Sequence, residues 1–143
     1  MDEIIMREYG IADVKEGLRE SFVVTITEKM MQDWLILTGD RNPLHCDSSY
    51  AKAKGFDECV VYGLLSAAFL STLAGMYLPG RKSLIQALDI KYVNPVFVND
   101  ELEVIGEVTE VYAELRMMRL KVIIQKRSGE RVVKGKMQVG FLE

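Results

Sequence analysis

The stretch "LTGDRNPLHCD", Leu37 to Asp47, holds the one histidine of the chain, His45, between two carboxylates, Asp40 and Asp47. An imidazole and a carboxylate a few positions apart are the parts of a general acid–base pair, able to divide a proton transfer at one water. His45, Cys46 and Asp47 also set three metal-ligating residue types in a row. That trio is disfavoured as a metal site, because adjacent side chains splay in an extended segment and no second cluster or CxxC spacing completes a coordination sphere. Residue types alone leave blander roles open. A lone histidine in a turn is usually a surface or packed residue, Asp40 after Gly39 suits a helix-ending turn, and Asp47 fits a helix cap better than a catalyst. Asn42 before Pro43 is a common turn pair, so a structural role stands beside a contact to water or substrate.

The elements around this turn are expected as follows. "SFVVTIT" alternates as a short strand, and Thr25 with Glu28 forms a capping box for a helix through "EKMMQDWLILTG", where Gly39 stops it. Asp47 caps a second, short helix that Gly55 ends. "GLLSAAFLSTLAG" is small and apolar on all sides, so it predicts a helix from near Gly63 to near Gly75, buried around most of its circumference. Such a helix needs something wrapped around it. Four later segments, "KSLIQALDIKYVNP", "DELEVIGEVTEVY", "ELRMMRLKVIIQKRSG" and "ERVVKGKMQVGFL", have period-two character, with "RSGE" as a hairpin and "NPVFVND" as a longer corner. Helices first and strands after predict an α+β fold in which a curved antiparallel sheet encloses one helix.

Composition sets the limits. A chain of 143 residues, 49% hydrophobic and 27% charged, is expected to form a single folded domain over residues 1–143. A formal charge of -3 gives no general attraction to nucleic acid or an anionic membrane. The acidic amino terminus does not read as a secretory signal, and the longest apolar stretch is broken by Gly63, Ser66, Ser71, Thr72 and Gly75, which argues against a membrane span. Cys46 and Cys59 form no disulfide framework, so a cytoplasmic address is the expectation.

The stretch "LTGDRNPLHCDSSYA" resembles the signature of MaoC-like, R-specific enoyl-CoA hydratases and dehydratases. The similarity continues through "YGLLSAAFLSTLAGMYLPG" to "YVNPVFVNDELEVIGEV", in the family's order, and covers roughly Phe22 to the end of the chain. It implies a hot-dog fold, a long central helix wrapped by a curved antiparallel β-sheet. It also implies reversible hydration of trans-2-enoyl thioesters to (R)-3-hydroxyacyl thioesters, or the reverse dehydration, without metal or redox cofactor. By the same resemblance Asp40 and His45 are the catalytic pair, Asn42 holds the loop and the reactive water, and the Gly63 N–H faces the thioester oxygen. The family's serine in the central helix falls at Ser71 when aligned without gaps from Gly63. Where the family usually has histidine before that glycine, this chain has Tyr62, which bears on the acyl end of the pocket and reads as a lining aromatic. The implied partners are an acyl-CoA or acyl-carrier-protein thioester and a second copy of the chain, with substrate along the boundary of a homodimer. The rival readings are a hot-dog acyl-thioesterase and a non-catalytic acyl-thioester binding protein.

The implied reaction has three needs: a base for water, an acid for the α-carbon and a donor for the charge that builds on the carbonyl oxygen. An N–H at the start of a helix, on a residue with no side chain to block approach, suits the third need. Oxyanion donors as a class contribute about 3–4 kcal/mol of transition-state stabilisation. Close packing of the helix is the alternative use of Gly63, and Ser71 is equally able to bond a carbonyl of its own helix.

Overall fold

The computed structural model describes residues 5–143. Five strands, β1 (Arg19–Thr25), β2 (Ser83–Tyr92), β3 (Glu101–Tyr112), β4 (Met117–Lys126) and β5 (Arg131–Phe141), form one antiparallel sheet in the order β1-β3-β4-β5-β2. Four helices precede β2: α1 (Glu28–Thr38), α2 (Pro43–Cys46), α3 (Ser48–Ala53) and α4 (Gly63–Thr72), the last continuing as a π-helical turn over Leu73–Tyr77. Alternation in the strands sends Leu102, Val104 and Val108 of β3 and Met118, Leu120, Val122 and Ile124 of β4 into one buried cluster. Leu65 and Leu70 of α4, with Leu73 and Ala74 of the π turn, complete that cluster from the other side. The sheet therefore wraps the helix, as the hot-dog expectation requires.

Local chemistry explains most boundaries. Gly39 ends α1 in the left-handed conformation (φ 73°), with its N–H donating to the Leu35 carbonyl at 2.7 Å. Asp47 caps α3 through the Tyr50 N–H. Gly129 (φ 92°) closes the β4–β5 hairpin where "RSGE" placed it. The capping box differs from expectation: Thr25 is the last residue of β1, paired with Glu101, and Thr27 is the cap, its Oγ1 accepting from the Met30 N–H at 3.2 Å. The strand holds two residues longer than the box would need, so the threonine adjacent to the first helical residue takes the role. A second difference concerns α4. Its exposed residues Leu64, Ala68 and Ser71 follow helical spacing and form one open stripe, with Leu64 67% exposed. Strand β2 is a free edge of the sheet that carries the exposed side chains of Leu84, Leu88 and Tyr92. No helix among the described residues is long and apolar enough to cross a membrane.

Candidate active site

His45 lies on α2, a single helical turn, rather than in irregular loop. Pro43 occupies its first turn, where a missing N–H costs nothing, and Asn42 caps it by accepting the Leu44 N–H on Oδ1 at 3.0 Å. The Asn42 Oδ1 is thus engaged in holding the loop. Asp40 sits just upstream, exposed, with its Oδ1 accepting the Asn42 N–H at 3.1 Å. The loop that carries both titratable side chains is fixed by its own short-range hydrogen bonds.

The imidazole is fixed from further away. His45 Nδ1 lies 2.6 Å from the carbonyl oxygen of Val60, and a carbonyl only accepts, so Nδ1 carries the proton. In the neutral ring, Nε2 then keeps its lone pair. The Tyr62 ring packs against the imidazole at 4.3 Å between centroids. Its hydroxyl donates to the backbone carbonyl of Asp40 at 2.7 Å and lies 3.5 Å from Cys46 Sγ. Burial first, and then the contact with Cys46, hold the Tyr62 hydroxyl well above the usual phenol range, so it stays protonated and donating. Tyr62 therefore stands behind the Asp40–His45 loop and clamps it to the start of α4.

A cavity of about 300 Å³ opens in front of His45, and Gly63 and Ser66 of α4 line it. Phe56 and Val60 contribute apolar wall, and residues 93–96 and 132–133 close the far side. The "NP" corner is held there by Asn94 Nδ2 donating to the Arg131 carbonyl and by the Val61 N–H donating to the Val96 carbonyl. At Gly63 a Cβ would lie 2.9 Å from Tyr92 Cε1, so the absent side chain is what leaves room between the helix start and that ring. A larger concavity of about 830 Å³ lies over the solvent side of β2, β4 and β5 and is lined by Lys121, Lys134 and Lys136. It is an open, solvated sheet face and holds none of the expected residues.

The chain thus brings His45 and Gly63 to one cavity, sets Asp40 and Asn42 on the loop beside it, and places Tyr62 behind that loop rather than in the cavity lining. Ser71 is exposed and outside the cavity. At about 100° per residue, it lies about 140° round α4 from Ser66. Sequence reading missed Ser66 and Tyr92. Ser66, three positions after Gly63, shares a helix face with it, and that spacing was the available signal.

The family described as "MaoC like domain" matches residues 12–131. The chain belongs to that MaoC-like family. It is 29% identical over 120 residues to the (R)-specific enoyl-CoA hydratase of Rhodospirillum rubrum, covering 84% of this chain and 82% of that one. It is 34% identical over 99 residues to the (R)-specific enoyl-CoA hydratase of Aeromonas caviae, covering 69% and 74%. Its fold is similar to the unliganded R-hydratase of Pseudomonas aeruginosa, with a TM-score of 0.89 at 28% identity over 96% of this chain and 88% of that one. The MaoC-like membership and the wrapped helix agree on a hot-dog fold.

Proposed function

We propose that this MaoC-like chain is an R-specific hydratase and dehydratase that interconverts trans-2-enoyl and (R)-3-hydroxyacyl thioesters. The observation that carries it is the His45 Nδ1 to Val60 carbonyl bond, which leaves Nε2 as a base at a cavity that Gly63, the first residue of α4, also lines. In hydration, Nε2 takes a proton from water as the hydroxyl oxygen bonds to the β-carbon. The electron pair of the double bond moves toward the carbonyl oxygen, where the Gly63 N–H at the positive end of α4 meets it. The proton held on Nε2 is then relayed through Asp40 to the α-carbon, so that H and OH of one water are added and both side chains end as they began. Asp40 is the partner acid: only its Oδ1 is engaged among the described residues, which leaves Oδ2 for a water shared with His45.

The test is hydration of crotonyl-CoA, followed as loss of enoyl absorbance, in the wild type, His45→Ala and Asp40→Asn. Activity that collapses in both folded variants is the expected result; equal activity in all three removes the mechanism. The names of the two hydratase relatives favour coenzyme A as the thiol carrier. Exposed apolar side chains and an open edge support a homodimer: Ile36 is 82% and Leu37 77% exposed at the end of α1, Leu64 is exposed on α4, and β2 is a free edge of the sheet. Free thiols at Cys46 and Cys59 suit a reducing compartment, and we place the reaction in the cytoplasm.

A further inference from the structure

We infer that Ser66 is a second hydrogen-bond donor to the thioester carbonyl oxygen, beside the N–H of Gly63; this rests on the hydratase function proposed above. Ser66 is 2% exposed, and its Oγ has no hydrogen-bond partner among the described residues. A buried hydroxyl left unpaired is costly, and native proteins retain few of them. A serine inside a helix has a ready alternative, the carbonyl one turn back. Here that carbonyl, of Tyr62, accepts the N–H groups of Leu65 at 3.1 Å and Ser66 at 3.2 Å, and the Ser66 hydroxyl leaves it alone. The side chain is aimed elsewhere.

Helix geometry says where. The Cα–Cβ bond tilts toward the helix N-terminus, so a side chain covers the turn before its own Cα. For Ser66 that turn begins at Gly63, the first residue of α4, which has no side chain to occupy the space. Both residues line the cavity that His45 faces. Two other donors there are already engaged: Asn94 Nδ2 donates to the Arg131 carbonyl and His45 Nδ1 to that of Val60. A substrate oxygen lying at the Gly63 N–H is therefore within the field of a hydroxyl that has nothing else to bond. During hydration the double-bond electrons pass onto this oxygen and return as the α-carbon is protonated. Ser66 keeps its own proton throughout and supplies only a hydrogen bond, strongest when the charge is greatest.

The experiment compares the full-length wild type with Ser66→Ala and Ser66→Cys, reading crotonyl-CoA kinetics and thermal unfolding together. Ser66→Ala is expected to melt higher, by about 3 °C or more, because an unpaired buried hydroxyl has gone and alanine favours the helix. Its kcat is expected to fall about 10²-fold with KM within about threefold, the pattern of a contact made in the transition state. Ser66→Cys, a weak donor of similar size, should fall between. A higher melting temperature with unchanged kcat would show a serine with no part in the reaction and would overturn the inference alone. A wild type that hydrates no enoyl thioester would overturn it together with the proposed function.

Discussion

Replacing Tyr62 by phenylalanine tests whether the loop that carries Asp40 and His45 is held by the residue behind it. The substitution keeps the ring that packs on His45 at 4.3 Å and on Trp34 at 6.4 Å, and deletes the hydroxyl that donates to the Asp40 carbonyl at 2.7 Å. Tyr62 is 3% exposed, but Asp40 is exposed and its carbonyl regains a water, so the loss is that of one ordinary hydrogen bond, about 1 kcal/mol. For a chain of this length that lowers Tm by about 3–5 °C. The kinetic effect is expected to be larger in proportion. A loop released by a fraction of an ångström misaligns the acid–base pair, and kcat for crotonyl-CoA should fall about 10-fold or more with little change in KM. A second signature lies in the alkaline range. Because burial and Cys46 raise the folded-state pKa of Tyr62 above its unfolded value near 10, the folded state holds a proton that the unfolded state releases. Stability is then lost as pH rises above about 10, by up to about 1.4 kcal/mol per pH unit, and this contribution should be missing from Tyr62→Phe. A variant that loses the expected Tm but keeps full kcat would refute the clamp as a device for the reaction, leaving it a structural contact.

Gly63→Ala would set a methyl 2.9 Å from Tyr92 Cε1 at the cavity mouth. Since Tyr92 is largely exposed and free to swing, the stability cost should sit near about 1 kcal/mol, while kcat/KM falls more than about 10-fold, read by the same hydration assay. Sedimentation of the wild type should give a dimer mass, and the double variant Ile36→Glu with Leu37→Glu, which charges two of the most exposed apolar side chains, should shift it to monomer. A wild type that stays monomeric at every concentration would remove the homodimer.

The parts of this molecule legible in the sequence are those governed by neighbours along the chain. Gly39, Asp47, Gly63 and the "RSGE" turn announce their elements because a cap, a stop or a hairpin needs a particular residue within three or four positions. The Asp40–His45 spacing is legible for the same reason. What escaped was set across distance. The tautomer of His45 depends on a carbonyl 15 residues away, and the role of Tyr62 depends on the Asp40 carbonyl 22 residues back. The family's alignment pointed to Ser71 in α4, whereas the serine brought to the cavity is Ser66, a distinction made by how the helix is rolled against the sheet. The strand order β1-β3-β4-β5-β2 is likewise a product of packing and leaves no local mark.

The cavity joins His45 to Val133, a separation of 88 positions along the chain, and its walls are pinned by bonds such as Asn94 to Arg131 and Val61 to Val96. Strand β1 reaches β3 across a gap of 80, as in the pair Val23 and Glu103. Contacts of such long range close late and slowly in folding, because loop entropy must be overcome before they form. The helices and the bonds that fix His45 and the Asp40 loop can form early from nearby residues, yet the far wall of the cavity is missing until β2 and β5 have docked. A refolding chain should therefore recover its helical circular dichroism before any turnover, and catalysis becomes the last property the folding molecule acquires.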